Sequence, residues 1–362
     1  MSDFIVAAIP IPPGETLKEY LVNWNISQKE LAMRLNLSHK HVNEIIKGKA
    51  PITIETAIKL EKVLGLPASF WLGLESTYQE AQARESLSEV TEKEIEILKS
   101  VDYAELARNK WVEKTNITAR KIENLHSYFG VVSLESIPQL IPVAFRVSNS
   151  FTPSGFALAA WLRQGEVLAQ EIKTEGYSKS RVKTLIKEIR ILTTKPQEEY
   201  LDQLAKKCAK YGIALVIVPH LKKTYVSGAV TWVNSNRIIL QLSTRGTYSD
   251  IFWFSLFHEL GHIYHEHNKN KTIIYDPHKE STIEKEADDF ASRNLIPEVK
   301  YQKFISNGVF SEDKIKVFAN DIKIHPGIVV GRLAYDKLIK HGQFNDLREK
   351  ILCRDNEESL LA

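Results

Sequence analysis

Apolar residues recur at helical spacing between short polar breaks in the first 75 residues, and this pattern predicts a bundle of five short helices. The first helix follows Pro13, and its apolar stripe consists of Leu17, Tyr20 and Leu21. Residues that favour helix N-caps precede the next three helices: Ser27, Ser38 and Thr53. Glu30 stands three residues after Ser27, which is the spacing of a capping box. The fifth helix begins at Pro67 and contains three large apolar residues: Phe70, Trp71 and Leu72.

The second and third helices are separated by a short turn, which is the arrangement of a helix-turn-helix motif. The third helix ends at Gly48 and turns three apolar residues inward: Val42, Ile45 and Ile46. The polar residues of this pair are types that contact phosphates and base edges: Gln28, Ser38, His39, Lys40, His41, Asn43 and Lys47. Acidic and basic residues are roughly equal in number here, so only the local stripe of Lys40, Lys47 and Lys49 favours DNA binding. A solvated helical bundle or a dimerisation module is the alternative.

The chain from residue 77 to about residue 194 has a charged, helical pattern and carries no chemical motif. Five amphipathic segments are predicted as helices: residues 75–84, 91–106, 110–129, 155–176 and 178–192. A proline-marked stretch, residues 138–153, interrupts them. We interpret Trp111, His126 and Trp161 as core packing residues. The region connects the two ends of the chain, or it forms a pocket or a dimer surface.

The pattern changes at Leu201. A helix up to Tyr211 precedes a β-branched run at residues 213–221, and residues 228–243 read as two strands joined by a turn at residues 234–236. An apolar helix follows near residues 251–265, and then helices at residues 282–295, 311–322 and 327–340. The charged tail from Asp346 is expected to be peripheral. This order is typical of a small α+β metallopeptidase, whose sheet edge accepts an extended peptide.

The apolar helix carries the sequence His258-Glu259-Leu260-Gly261-His262. Residues four apart lie on the same face of a helix, so His258 and His262 can bind one metal ion. Glu259 can then act as a general base beside that ion, and Gly261 allows another segment to approach closely. The alternative is a pair of core histidines with a buried carboxylate and no metal. An unpaired buried carboxylate is costly, which makes this alternative the weaker one.

A catalytic zinc site needs a third protein ligand. The metzincin pattern requires Gly at position 265 and His at position 268, but this chain has His265 and Asn268. The other common solution is an E-x-x-x-D pattern on a following helix, which Glu284 to Asp288 provides 22 residues after His262. Glu284 is then the ligand and Asp288 fixes a histidine tautomer. Glu286 is the rival ligand, and a solvated acidic helix N-terminus is the alternative.

Composition adds limits rather than chemistry. The net charge of +3 argues neither for nor against nucleic acid, and the two cysteines, Cys208 and Cys353, form no zinc or disulfide pattern. The N-terminus lacks the features of a signal peptide, and no apolar run approaches the roughly 20 residues of a membrane span. We therefore expect a cytoplasmic, multidomain protein without membrane contact.

Two stretches resemble known families. Residues 14–75 contain PGE, SQ-x-x-LA, G-K-x-x-I-T and FWL, and they resemble the Xre-type helix-turn-helix of HigA-like antitoxins and related repressors. HELGH, EKEADDFASRNLIP and IHPGIVVGRL resemble the ImmA/IrrE family of metallopeptidases. The expected fold is multidomain and mainly α. It comprises a five-helix bundle (1–76), a helical connector (77–200), a small α+β zincin-like domain of gluzincin type (201–345) and a charged tail (346–362).

The resemblance implies a DNA-binding transcriptional regulator with a zinc-dependent endopeptidase that cleaves a specific repressor or partner protein. The setting would be stress, a prophage or a toxin–antitoxin pair. It implies one zinc ion per chain, with His258, His262 and Glu284 as ligands, Glu259 as the base and an operator DNA as partner. The alternative is a HigA-like antitoxin whose metal domain senses or scaffolds. We expect a homodimer. The oxyanion-stabilising residue stays open among five candidates: Tyr264, His265, His267, His325 and Arg332.

Overall fold

The N-terminal part of the chain folds into helices where its apolar spacing predicts them. The structure, a computed structural model, describes residues 11–87, 90–141, 155–244, 248–267, 269, 272–274 and 281–351. Its first five helices are α1 (Pro13–Asn23), α2 (Gln28–Leu35), α3 (His39–Ile46), α4 (Ile54–Leu64) and α5 (Ala68–Leu87). The three predicted N-caps are confirmed, because Ser27, Ser38 and Thr53 accept hydrogen bonds from backbone N–H groups three residues on, at 3.1, 3.1 and 3.2 Å. The five predicted helices are thereby confirmed.

These helices share a core of apolar side chains that includes Leu17, Leu31, Val42, Leu60 and Trp71. The inward positions predicted for α3 are confirmed, since Val42, Ile45 and Ile46 are all buried. Asn36 ends α2 in the left-handed conformation, at φ 50°, and Ser38 already caps α3. Asparagine tolerates this conformation better than most residues. Three residues therefore suffice to turn the chain from α2 into α3.

Residues 75–84, predicted as a separate helix, belong to α5. The helices between α5 and the sheet are shorter than predicted, except the last, which begins four residues before its predicted start. They are α6 (Glu92–Lys99), α7 (Tyr103–Arg108), α8 (Thr118–Phe129), α9 (Ile137–Leu140), α10 (Gly155–Gln170), α11 (Lys179–Arg190) and α12 (Gln197–Lys210), with 3-10 turns at Leu134–Ser136 and Ile191–Thr194. A continuous helix over residues 91–106 is wrong, because Asp102 accepts the Glu105 N–H at 3.0 Å and starts a new helix. Most of the proline-marked stretch (142–153), like residues 1–10, lies outside the described residues.

Residues 92–362 form one compact unit and residues 1–91 another, so residues 92–200 of the predicted connector lie in the same unit as the sheet. Helix α10 packs on that sheet. Trp161 is fully buried and its indole N–H donates to the Val218 carbonyl at 3.4 Å, which confirms it as a core residue. His126 is different, because it pairs with the buried Glu94 at 2.6 Å and keeps 23% of its side chain exposed.

A four-stranded sheet forms the centre of the second unit. Its strands are β1 (Ile213–Val218), β2 (Gly228–Asn234), β3 (Arg237–Ser243) and β4 (Thr272–Ile274), in the order β1-β3-β2-β4. The predicted hairpin is confirmed, since β2 and β3 are antiparallel around a two-residue turn. The parallel pairing of β1 with β3 and the short edge strand β4 were not predicted. Three residues are too few to show a strand period.

Five helices follow, and the first two meet at the candidate site. They are α13 (Ser249–His265), α14 (Thr282–Leu295), α15 (Glu298–Ile305), α16 (Glu312–Ile322) and α17 (Pro326–Tyr335), before a 3-10 turn at Asn345–Leu347. The predicted bounds of α14 are confirmed. The predicted extension of α17 to Lys340 is wrong, because Lys337 takes a positive φ of 57° just after the helix. No helix among the described residues has the length and apolar character needed to cross a bilayer.

The start of α13 is tied to the segment near residue 348. Arg348 donates to both carboxylate oxygens of the buried Asp250, at 3.0 and 2.8 Å, and the Ser249 N–H donates to the Glu349 carbonyl at 2.8 Å. The expectation of a peripheral tail is therefore wrong for residues 346–351. Its remainder, residues 352–362, lies outside the described residues.

Candidate metal centre and nucleic-acid interface

The two helices of the candidate site approach each other at a glycine. A Cβ atom on Gly261 would lie 3.1 Å from the Ala287 Cα and 3.2 Å from a Phe290 ring carbon. The close approach predicted for Gly261 is thus confirmed. Because α13 and α14 touch here, the carboxylates on one turn of α14 come within reach of the histidines on α13.

Three side chains converge between these helices: His258, His262 and Glu284. Their Nε2, Nε2 and Oε2 atoms form a triangle, with 3.0 Å between the two nitrogens and 3.1 and 3.5 Å from these nitrogens to the Glu284 oxygen. Both histidines are fully buried and Glu284 is 6% exposed. Bonds of 2.0–2.1 Å to a tetrahedral zinc ion give ligand–ligand edges of about 3.3 Å. The size of the triangle therefore fits a zinc ion.

The other nitrogen of His258 faces Asp288, at 2.8 Å from Oδ1. If Nδ1 carries the proton and donates it to this carboxylate, the Nε2 lone pair points at Glu284 and His262. A neutral His258 then faces a carboxylate with no proton between them, which is a repulsive arrangement unless a cation lies there. The donor set fits a bound divalent cation for this reason. Glu286 lies elsewhere, with its carboxylate 2.9 Å from Nε2 of His267.

Burial and hydrogen bonding shift the pKa values of the three side chains of the triangle. Burial lowers the pKa of His258, but hydrogen bonds to Asp288 and Glu284 outweigh it and raise the pKa to about 9. Burial raises the pKa of Glu284, and its hydrogen bonds to the two histidines reverse this and lower it to about 2. Burial lowers the pKa of His262. Without a cation, these contacts favour a protonated His258 facing an ionised Glu284.

Glu259 lies beside the triangle in an unusual state. It is fully buried, and neither carboxylate oxygen has a hydrogen-bond partner among the described residues. Burial raises its pKa to about 8, with the nearby charge of His258 opposing and that of Glu284 adding to the rise. A Cβ on Gly228, at the start of β2, would overlap this carboxylate. The structure therefore keeps space around a carboxylate that makes no structural bond.

A cavity of about 270 Å³ is lined mainly by residues of α13, α14 and α17. On α13 it begins at Phe254 and Ser255, each four residues before His258 or Glu259, and the rings of Phe254 and His258 lie 6.4 Å apart. On α14 it begins at Ser292, four residues after Asp288. Its other lining residues include four aliphatic side chains, Ile251, Leu295, Ile296 and Ile328, and two charged ones, Asp250 and Arg332. Phe254 and Ser255 thus place the cavity lining one helical turn before His258 and Glu259, and the candidate metal ligands are not among the lining residues.

The five candidates for oxyanion stabilisation are placed differently. Tyr264 stacks on Phe290 at 5.1 Å, His265 stacks on His267 at 5.2 Å, and His325 caps α17 by accepting the Gly327 N–H at 3.1 Å. Arg332 pairs with Asp336 at 2.8 Å and is the one of these five that lines the cavity. The sequence offered His267 only as an oxyanion candidate, and its contact with His262 was not predicted.

The seven residues chosen for DNA contact lie at the start of α2 and along α3. Ser38, His39, Lys40 and Lys47 are exposed, while Gln28, His41 and Asn43 are partly buried. Lys40 reaches Glu44 at 3.9 Å but keeps 85% of its side chain exposed. Exposed pairs of this kind are weak, so Lys40 is available to a phosphate at little cost.

Comparison with known protein families gives one match in each of the two compact units of the chain. Residues 17–71 match the helix-turn-helix family, and residues 208–323 match the IrrE N-terminal-like domain. An HTH-type transcriptional regulator of Escherichia coli, YddM, is 32% identical over 75 residues, which are 21% of this chain and 80% of that protein. Virulence-associated protein I of Dichelobacter nodosus is 38% identical over 69 residues, 19% of this chain and 64% of that protein.

Among solved structures, antitoxin HigA of Pseudomonas aeruginosa with the higBA promoter is 37% identical, covering 21% of this chain and 85% of that one, at a TM-score of 0.21. The relatives named above match only the N-terminal part of the chain, and the C-terminal assignment comes from the domain match alone. The chain belongs to the Xre-type helix-turn-helix family, and it joins that domain to an IrrE N-terminal-like domain of the peptidase class.

Proposed function

We propose that this chain is a DNA-binding regulator with a zinc-dependent endopeptidase that cleaves one specific regulatory protein in the cytoplasm. The observation that carries the peptidase is Glu259, a fully buried carboxylate without a hydrogen-bond partner among the described residues, beside a triangle of ligand atoms. Burying such a group costs several kcal/mol unless a nearby cation offsets the cost. A purely structural zinc site has no use for it, whereas a peptidase needs it as a base.

His258, His262 and Glu284 would hold the zinc ion, one per chain, and Asp288 would fix the His258 ring. When bound, zinc supplies Lewis-acid activation of a water molecule and of the peptide carbonyl. Glu259 accepts a proton at a carboxylate oxygen and returns it to the leaving amine. Both of its oxygens are free of other described partners, so neither transfer has to break a structural hydrogen bond.

The cavity next to the centre gives the substrate a chemical class. Phe254, Leu295 and Ile328 supply apolar walls, and the site lies one turn from Glu259. A peptide whose carbonyl sits at the metal centre can therefore place an apolar side chain near the scissile bond in this cavity. We infer that the cut falls next to a large apolar residue.

For the N-terminal unit, the membership in the helix-turn-helix family supports operator binding through α3. Gln28, Ser38 and Lys47 would hold phosphates, while His39, Lys40, His41 and Asn43 would reach base edges or adjacent phosphates. A homodimer would place two such helices on two half-sites. A DNA reader on the same chain makes general digestion an unsuitable role, and regulated cleavage fits better.

The resemblance of residues 14–75 to HigA-like antitoxins favours a second candidate function. In it, the chain represses its operator and binds a toxin, and the metal domain senses or scaffolds without cutting. The two candidates differ in the fate of the partner protein, which is cut in the first and held intact in the second.

The test is co-expression with the tagged products of neighbouring genes. Wild type should generate a new fragment of one partner, and Glu259→Gln should lose it, by about 10²–10⁴-fold in rate, while both proteins contain about one zinc per chain. Glu298→Gln, an exposed carboxylate on α15, is the matched control and should cleave as wild type does. An intact partner that co-purifies equally with wild type and Glu259→Gln would support the second candidate. Absence of zinc from the wild-type protein would contradict the proposed peptidase activity.

A further inference from the structure

The chain folds back on itself at the end of α13. Glu266 takes the left-handed conformation, at φ 54°, which non-glycine residues adopt rarely. Its carboxylate is held by Lys269 at 2.9 Å and by Lys179 at 3.5 Å. The reversal lets the His267 N–H donate to the His262 carbonyl at 3.0 Å. The ring of His267 is thereby brought to 5.2 Å from the ring of His262.

Two hydrogen-bond distances connect this ring to the metal centre and to α14. Nδ1 of His262 lies 3.0 Å from Nδ1 of His267, and Nε2 of His267 lies 2.9 Å from Oε2 of Glu286. The His267 side chain is only 9% exposed, whereas Glu286 is 50% exposed. A chain of contacts therefore runs from His262 through His267 to a carboxylate near the surface.

The positions of the protons follow from the roles of the nitrogens. If Nε2 of His262 offers its lone pair to a cation, the ring proton of neutral His262 is on Nδ1 and points at His267. Nδ1 of His267 must then accept it, so the His267 proton is on Nε2 and is donated to Glu286. Each nitrogen has one role and each contact has one proton. This consistency requires no charged imidazole.

We propose that His267 and Glu286 are positioning residues that fix the tautomer and ring orientation of His262. The inference rests on the metal centre of the proposed function and adds its outer support. Asp288 supports His258 directly at 2.8 Å, and Glu286 supports His262 through an intervening imidazole. Both carboxylates come from α14, two residues apart, so one helix orients the two candidate metal-binding histidines of α13.

A second cation between His265, His267 and Glu286 is the competing interpretation, because their ligand atoms lie within 4.8 Å of one another. That cation would take the Nε2 lone pair of His267 and place its proton on Nδ1. Two N–H groups, on His262 and His267, would then face each other across 3.0 Å. The two arrangements exclude each other, and this makes them separable by experiment.

The experiment is a zinc titration of the full-length protein against a chromophoric chelator, for wild type and four variants. His267→Ala should weaken zinc binding about 10–100-fold, as expected for loss of an outer-shell partner. His267→Asn should restore most of the affinity, since its side-chain oxygen can accept the His262 proton. Glu286→Ala should show a smaller loss. His265→Ala, which removes the exposed neighbouring imidazole, should bind zinc as wild type does.

Two further readouts separate positioning from folding. The absorption spectrum of the cobalt-substituted protein should change in His267→Ala and return toward that of wild type in His267→Asn, and thermal unfolding of the metal-free variants checks that they fold. Equal zinc affinity of His267→Ala and wild type would overturn the inference. Two zinc ions per wild-type chain, reduced to one in His265→Ala, would overturn it in favour of the second cation. A wild type that binds no zinc would instead overturn the proposed function and this inference with it.

Discussion

The metal centre on α13 and the polar face of α3 carry the two proposed activities in opposite ways. His258, Glu259 and His262 are fully buried, and the partners of the two histidines belong to the same chain. On α3, by contrast, Lys40 is 85% exposed, and its nearest charged partner is a weak 3.9 Å pair. In the buried site, distances between side chains identify the candidate metal ligands. The proposed DNA-binding face of α3 would make its contacts with DNA, so distances within the protein do not identify those contacts.

The largest effect on one region without an effect on the other is expected from Lys40→Ala combined with Asn43→Ala, which should weaken DNA binding. Loss of a base contact and a neighbouring charge should cost about 2–4 kcal/mol, on the order of 100-fold in affinity for promoter DNA of the chain's own gene. Zinc binding should not change. Fluorescence anisotropy at one fixed salt concentration measures this. The control is Asn23→Ala with Lys62→Ala, which changes the same residue types at exposed positions outside α2 and α3. Equal loss in both would contradict the assignment of α3.

Asp288→Asn acts on the buried region alone. An amide cannot accept the His258 proton as strongly as a carboxylate, so zinc affinity should fall about 10–100-fold. Asp289→Asn is the matched control, because the neighbouring carboxylate is exposed and pairs with Arg293 at 3.7 Å. Competition with a chelator measures both. If the two variants bind zinc equally, the hydrogen bond to His258 has no role in metal binding.

Ser292→Phe should narrow the cavity without touching the metal ligands. Cleavage of peptides with a large apolar residue next to the scissile bond should fall about 10-fold relative to peptides with alanine there. Arg293→Phe puts the same ring at an exposed position on α14 and should leave the ratio unchanged. A peptide library read by mass spectrometry gives the ratio. An unchanged ratio in Ser292→Phe would place the substrate side chain elsewhere.

The smallest effect is expected from Thr53→Ala, which removes the N-cap of α4. The free energy of unfolding of the N-terminal unit should fall by about 1 kcal/mol, while Thr53→Ser, which keeps the hydroxyl, should retain most of it. Chemical denaturation followed by helix content measures the change. Zinc affinity should stay at the wild-type value, and a parallel drop in it would show that the two regions depend on each other.

The elements that sequence could predict are those coded by local patterns. The Thr53 cap and the hairpin turn predicted at residues 234–236 follow from spacing over a few residues. The contact of Glu284 with His258 joins distant residues, and only the E-x-x-x-D pattern on a following helix indicated it. What sequence missed depends on distant contacts or rare backbone. The left-handed Glu266 gives no sequence signal, because glycine is the residue expected there, and the position of His267 depends on it. The cavity is likewise formed by segments far apart in sequence.

The ion pair between Asp250 and Arg348 also sets an order of events during synthesis. Chains emerge from the ribosome N-terminus first, and domains generally fold as they appear. The unit of residues 1–91 can fold early, whereas Asp250 in the first turn of α13 has no Arg348 side chain to pair with until residue 348 has emerged. Under the proposed function, a nascent chain would therefore be able to bind its operator before it is able to cleave a substrate.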